Sequence, residues 1–351
     1  MPNEDPLQNF SHEELAAELK HRAIHNTKSL SPLSDVKSGE LFQKLQVDQK
    51  VIYGKDNRVD IFQITDRNVL DNSDSVVAIF DVSRVISNGN GTSALSTIRY
   101  KDAQNLCDQE PFFNQPVGPN CTGFLVAPDI IATAGHCING SNYLRKRFVF
   151  GFQMIDSSNA RLTIPDLDIY QAVGIIDRKE EGEGADYALV RLNRPVRGHK
   201  IAKLSRSGRI ADDEELYVIG HPAGLPKKFA DGAIIRDNTP STHFVSNLDT
   251  YGGNSGSPVF NSRTHEVEGI LVRGENDFIM VGTCARSMVC PTTGCRGEDV
   301  TRVSQFVTEV PKSTELATTL EERVAGIETT ISSFKKDFEE LKGLVISKLP
   351  I

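Results

Sequence analysis

Between Val51 and about Phe306, apolar residues come in short runs of strand length. The runs are VVAIF, GFLVAPDIIATA, RFVFGF, YALVRL, LYVIG, SPVF and EGILV, with Gly, Pro, Asn and Asp between them. Many short strands at fairly regular spacing with turn residues between them predict an all-β barrel or sandwich unit. A stretch as long as residues 51–306 suits two small barrels better than one.

The flanks have a different texture. Residues 1–50 are polar, and Ser11 to Ala23 (SHEELAAELKHRA) has the pattern of a short helix with Ser11 as cap, Glu14 closing a capping box, and Leu15 and Leu19 on one stripe. The Pro- and Ser-rich SLSPLSD then breaks that pattern. Beyond Pro311, Leu320, Val324, Ile327, Ile331, Phe334, Phe338, Leu341 and Val345 follow a 4-3-4-3-4-3-4 spacing with Glu and Lys between them. That alternation predicts an amphipathic or coiled-coil helix, which either docks a partner or second copy or packs back on its own barrels. The expected division is 1–50 as an N-terminal pro-segment or regulatory extension, 51–311 as the main domain, and 312–351 as the C-terminal helix.

Composition narrows the function. The 351 residues carry 39 Lys+Arg against 47 Asp+Glu, a net charge of −8, which disfavours a protein that tracks nucleic-acid phosphates. Hydrophobic residues make up 38 %, enough for a sizeable core, and no apolar run approaches the length of a membrane span. The opening MPNEDPLQNF has neither a basic nor an apolar leader region, so the expectation is a cytoplasmic protein; cysteine usage supports the alternative of a secreted or periplasmic one.

Two segments carry chemistry. In the first, Cys121 to Cys137 (CTGFLVAPDIIATAGHC), two strands joined by a turn at Ala127-Pro128-Asp129 lead to a small-residue loop presenting His136. A disulfide between Cys121 and Cys137 would pin that loop, and a His held this way serves as a general base. In the second, Tyr251 to Phe260 (YGGNSGSPVF), Ser255 sits among glycines at a turn entering an apolar strand. Such a backbone lets the N–H groups of Gly253 and Ser255 converge on one point, as an oxyanion hole requires.

With GADYALVRL between them, TAGHC and GGNSGSP resemble the chymotrypsin-type serine endopeptidases, and GGNSGSPVF is most similar to the bacterial glutamyl-endopeptidase branch. The resemblance spans roughly Val51 to Phe306 and implies a chymotrypsin-like fold of two six-stranded antiparallel barrels with the site between them. It further implies His136 as general base, Asp186 as its orienting carboxylate and Ser255 as nucleophile. Asp166, Asp168 and Asp213 compete for the carboxylate role, but Asp186 opens the apolar strand YALVRL and falls in the family's order. The implied activity is peptide-bond hydrolysis through an acyl-enzyme, with a protein or peptide substrate and neither cofactor nor metal.

The resemblance also locates a specificity pocket. Six residues before the nucleophile stands Asp249, which would pair with a substrate Lys or Arg; the alternative is a solvated turn residue. Thr250 matches the pocket Thr of the glutamyl branch, but Leu271 stands where that branch places its Glu-binding His; Gly274 closes the set. Cleavage after Lys or Arg is therefore expected, with Glu or another side chain as the alternative. A further alternative is a protease-fold binding module acting through its C-terminal coil. Lys50-Val51 resembles a zymogen junction, although Asn254 replaces the Asp with which trypsin-like zymogens capture the freed amino group. With Cys121 paired to Cys137, the remaining Cys107, Cys284, Cys290 and Cys295 allow three connectivities.

Overall fold

The structure, a computed structural model, describes residues 52–311 apart from 109, 275, 276 and 292, together with Glu18. The junction at Lys50 and Val51, the Ser11–Ala23 helix apart from Glu18 and the 320–345 heptads lie outside the described residues. The chain divides into two units, Met1–Val307 and Thr308–Ile351, and the strands and candidate site all belong to the first.

Twelve strands carry the architecture. The first six are β1 (Val76–Asp81), β2 (Cys121–Ala127), β3 (Ile130–Thr133), β4 (Lys146–Phe150), β5 (Ile169–Glu180) and β6 (Asp186–Leu192). The second six are β7 (Glu215–Gly220), β8 (Lys228–Asp237), β9 (His243–Ser246), β10 (Pro258–Asn261), β11 (Val267–Arg273) and β12 (Glu298–Arg302). Each half closes on itself through antiparallel pairs. The first runs β1-β2-β3-β6-β5-β4 and back to β1. The second runs β7-β8-β9-β12-β11-β10 and back to β7. The two barrels therefore share one strand order, and closure removes the unpaired edges that an open sheet would expose. Every predicted strand run overlaps one or two of these elements.

Alternation along the strands explains the two cores. Ala78, Phe80 and Val149 of the first barrel's strands pack with Phe152 and with Leu95 and Ile164 of a separate three-stranded sheet. Leu216, Val218, Phe244, Val259, Leu271 and Val300 pack inside the second. Each buried aliphatic or aromatic side chain contributes on the order of 1.5–3 kcal/mol.

A helix that the apolar runs did not predict, α1 (Arg67–Asp74), is capped by the Asp66 carboxylate, which accepts from the Asn68 and Val69 N–H groups. Its Asn72 donates to the Tyr217 hydroxyl of β7 at 2.8 Å, tying the helix to the second barrel. No helix among the described residues is long and apolar enough to cross a membrane.

The six cysteines form three disulfides: Cys121–Cys137, Cys107–Cys284 and Cys290–Cys295. The first is the expected pair, and the other two select one of the three open connectivities.

Candidate active site

Two turns and the start of β6 meet along the seam between the barrels. The first follows β3, where Gly135–Cys137 forms a single 3₁₀ turn. A side chain at Gly135 would place its Cβ 2.1 Å from the Lys179 carbonyl and 2.9 Å from the Asp186 carboxylate, so only glycine lets the turn lie this close to β5 and β6. The Cys121–Cys137 disulfide holds the far side of the same turn to β2.

Asp186 begins β6 and is buried beside that turn. One carboxylate oxygen accepts the N–H groups of Gly135 at 2.6 Å and His136 at 3.2 Å, and the other faces Nδ1 of His136 at 2.7 Å. The carboxylate is an acceptor, so it fixes the tautomer with the proton on Nδ1 and turns an unprotonated Nε2 outward. Burial works to raise the Asp186 pKa. The His136 charge and hydrogen bonds, with Arg273 beyond, outweigh it and hold the carboxyl below the usual carboxylate range. From the second barrel, the Thr301 hydroxyl accepts the Asp186 N–H at 3.1 Å.

Ser255 lies on the turn before β10, and two glycines make that turn feasible. Gly253 and Gly256 both have φ of 90°, a region that favours glycine. A Cβ at Gly256 would lie 2.0 Å from the Thr122 carbonyl, and one at Gly253 would lie 2.7 Å from the His221 carbonyl. The first barrel grips the turn through Thr122, next to Cys121. Its N–H donates to the Ser255 carbonyl at 2.9 Å and its hydroxyl to the Gly253 carbonyl at 2.9 Å, while the His221 N–H donates to that hydroxyl at 3.0 Å. Strand β2 thus holds the Ser255 turn by hydrogen bonds and the His136 turn by a disulfide.

The three residues read from motifs accordingly lie on two turns and at the start of β6, with His136 paired to Asp186. The competing carboxylates lie elsewhere. Asp166 accepts from the Ser93 hydroxyl, Asp168 faces His199, and Asp213 lies in the turn before β7.

The residues that the resemblance assigns to a specificity pocket are arranged less simply. The carboxylate of Asp249 is buried and accepts the backbone N–H groups of Tyr53 at 2.6 Å and Asn57 at 2.9 Å. It is therefore turned toward the N-terminal segment rather than solvated. Burial raises its pKa to about 6, against the pull of those two N–H groups. Leu271 belongs to the apolar core of the second barrel. Thr250 donates to the carboxylate of Glu298 at 3.0 Å, and a Cβ at Gly274 would lie 2.1 Å from a Glu298 oxygen. Glu298 was not among the expected site residues. Its signal was legible: it opens β12 in the same parity as the core residue Val300, an acid where strand alternation calls for an inward-facing side chain.

The N-terminal segment braces this region from below. Ile52 and Tyr53 pair in parallel with Val289 and Cys290, and the Arg58 guanidinium lies 4.1 Å from the centre of the Tyr251 ring. The ligand atoms of Cys121, His136 and Cys137 lie within 4.8 Å of one another. The two sulfurs are joined in a disulfide, so the group lacks the thiolates a metal ion would need.

Two closed six-stranded antiparallel barrels with these loops at their seam make a chymotrypsin-like fold. Residues 121–270 match the family model of the trypsin-like peptidase domain, a span that includes His136, Asp186 and Ser255. The motifs and the family match fall on the same stretch of the chain.

Among solved structures, the chain is similar to a Glu endopeptidase in complex with MPD at 16 % identity and TM-score 0.41, over 74 % of this chain and 98 % of that one. It is similar to the VesB protease of Vibrio cholerae at 16 % identity and TM-score 0.41, over 74 % of this chain and 67 % of that one. It is also similar to a serine endoprotease from Yersinia pestis at 12 % identity and TM-score 0.40, over 69 % and 63 %. No curated protein matches the chain.

Proposed function

We propose that the chain is a serine endopeptidase that cleaves peptide bonds after Lys or Arg, with Ser255 as nucleophile, His136 as general base and Asp186 as the carboxylate that orients it. The observation that carries this reading is the 2.7 Å contact between His136 Nδ1 and the buried Asp186 carboxylate, on a turn tethered to the same strand as the Ser255 turn. Nε2 of His136 takes the Ser255 hydroxyl proton as Oγ attacks the scissile carbonyl carbon. The N–H groups of Gly253 and Ser255 would receive the developing oxyanion. The protonated imidazole then gives its proton to the leaving amine, which departs and leaves an acyl-enzyme. Water, deprotonated by the same imidazole, releases the carboxylic acid and restores Ser255.

Processing at Lys50-Val51 belongs to the same proposal. The segment just beyond that junction supplies the Tyr53 and Asn57 N–H groups to Asp249 and stacks Arg58 on Tyr251, so trimming there would act next to the pocket. Three disulfides support an oxidising compartment, secreted or periplasmic.

The test is turnover of a fluorogenic peptide panel with Lys, Arg, Glu, Phe or Ala before the scissile bond, using protein of sequenced N-terminus. Turnover that Ser255→Ala abolishes is expected; turnover that survives the substitution would overturn the proposal.

A further inference from the structure

The donor assigned to Gly253 sits in a Gly-Gly pair, and such a pair does not fix its own direction. Rotation about ψ of Gly252 and φ of Gly253 turns the peptide between them over with no side chain to oppose it. That peptide is trans, so its carbonyl and its N–H point to opposite edges. Whatever holds the Gly252 carbonyl therefore sets where the Gly253 N–H points.

Three elements outside the turn hold this stretch. The Ala223 N–H donates to the Gly252 carbonyl at 2.5 Å, which directs the Gly253 N–H away from the Pro222–Gly224 turn. Ala223 makes that bond from a left-handed backbone with φ of 51°, a strained conformation of the kind that gathers at working sites. The Thr122 hydroxyl holds the Gly253 carbonyl on the other side. One peptide earlier, the Gly252 N–H donates to Oδ2 of Asp277 at 2.9 Å. A carboxylate accepts such a bond more strongly than a neutral oxygen does.

Asp277 reaches Gly252 from a braced support. Its carbonyl accepts the Met288 N–H at 2.8 Å. The next residue, Phe278, stacks on the Tyr251 ring, with centroids 5.2 Å apart and planes 18° from parallel. Residues 277 and 278 thus grip residues 252 and 251. They lead into a hairpin of Phe278–Val281 with Cys284–Ser287, which the Cys107–Cys284 disulfide ties down.

We propose that Asp277 is a positioning residue for the oxyanion hole: its carboxylate, together with the Ala223 N–H, keeps the Gly252–Gly253 peptide turned so that the Gly253 N–H meets the developing oxyanion. The inference rests on the serine endopeptidase reading above and adds a residue that touches neither the substrate nor the reacting atoms. Without Asp277 the Gly252 N–H loses this acceptor, and the peptide after it turns over more easily. The turned-over form would aim the Gly252 carbonyl, a negative dipole end, at the oxyanion. The loss falls on the transition state and not on binding of the substrate's side chains, so it appears in kcat and not in KM.

The experiment measures kcat and KM on the best peptide of the panel, and Ki for a peptide boronic acid of the same sequence, in the wild type, Asp277→Ala and Asp277→Asn. The boronate adduct of the serine places an oxygen where the oxyanion forms. Asp277→Ala should lower kcat at least about tenfold, leave KM within about threefold, and raise Ki by about the factor lost from kcat/KM. Asp277→Asn retains an oxygen that accepts the Gly252 N–H, and should keep at least about a third of the wild-type kcat. An Asp277→Ala protein that melts lower but keeps kcat within about threefold overturns the inference, because it gives Asp277 a structural role alone. A loss that Asp277→Asn shares in full, or one confined to KM, overturns it as well. If Asp277→Ala does not fold, hydrogen exchange of the Gly252 amide in the wild type decides. Exchange slowed at least about 100-fold against an unprotected glycine amide supports the inference, and exchange at the unprotected rate overturns it. A wild type that cleaves no peptide contradicts the endopeptidase reading itself, and the inference falls with it.

Discussion

The backbone N–H of Thr122 donates to the carbonyl of Ser255 at 2.9 Å, and this bond crosses from one barrel to the other. Thr122 follows Cys121, whose disulfide holds the His136 turn, so one strand sets the positions of both turns. The Thr122 hydroxyl adds a bond to the Gly253 carbonyl and accepts one from the His221 N–H. Thr122→Val keeps the shape and removes both hydroxyl bonds, leaving a buried donor and acceptor without them. The expected cost is about 1–3 kcal/mol of stability, with kcat lowered at least tenfold because the turn that carries Ser255 loosens. Denaturant unfolding and steady-state kinetics check it; unchanged kcat would show that the turn holds its shape without Thr122.

Replacing Asp186 by Asn keeps the volume but offers an amide where His136 Nδ1 needs an acceptor. Turnover should fall by about 10⁴-fold while the circular dichroism spectrum stays that of the wild type. The Asp186 carboxyl is held below its usual range, so its contribution to stability is present above about pH 4 and lost as the pH falls through its folded value. A rate profile with an acid limb above pH 5 that Asp186→Asn removes, at otherwise normal turnover, would contradict this assignment.

The Cys121–Cys137 bond closes a loop with a sequence separation of 16 and carries the His136 turn. The double variant Cys121→Ser with Cys137→Ser should lose about 3 kcal/mol of stability, the loop-closure value for such a length. It should also lose turnover disproportionately at temperatures where it remains folded. A variant with lowered melting temperature but full kcat at 20 °C would mean that the disulfide stabilises the barrel without positioning His136.

Asp249 gives a pH signature. Its folded pKa of about 6 exceeds the unfolded carboxyl value, so the folded state holds the proton more tightly and Asp249's contribution to stability falls as pH rises from about 4 to about 6. Asp249→Asn removes that titration. The unfolding free energy of the variant minus that of the wild type should rise by about 2 kcal/mol between pH 4 and pH 7. Urea titrations of both proteins at the two pH values measure it, and a difference independent of pH would contradict it.

The barrels were legible because each strand is a short apolar run closed by turn residues, a pattern that β1, β2 and β10 follow almost residue for residue. His136 and Ser255 were legible because the glycines beside them answer to local crowding that the motifs record, as Gly135 and Gly256 demonstrate. Helix α1 was less visible: Arg67–Asp74 buries only Val69 and Ser73, too little apolar surface for a helical stripe to stand out. The direction of Asp249 was not legible, since its partners Tyr53 and Asn57 are 196 and 192 residues away and offer backbone groups that any residue carries. Glu298 was passed over for a different reason. Counting from Ser255 reaches Asp249 and Thr250, whereas β12, which places Glu298 beside Thr250, comes to them through sheet pairing with β9 and β11.

The central claim is that His136 and Asp186 activate Ser255. Its most direct measurement is the mass of the protein after treatment with a fluorophosphonate, which phosphonylates an activated serine and displaces fluoride. One equivalent should attach, peptide mapping should place it on Ser255, and His136→Ala should slow the labelling by at least about 10³-fold. Label on another residue, or labelling of Ser255 at the wild-type rate without His136, would contradict the account.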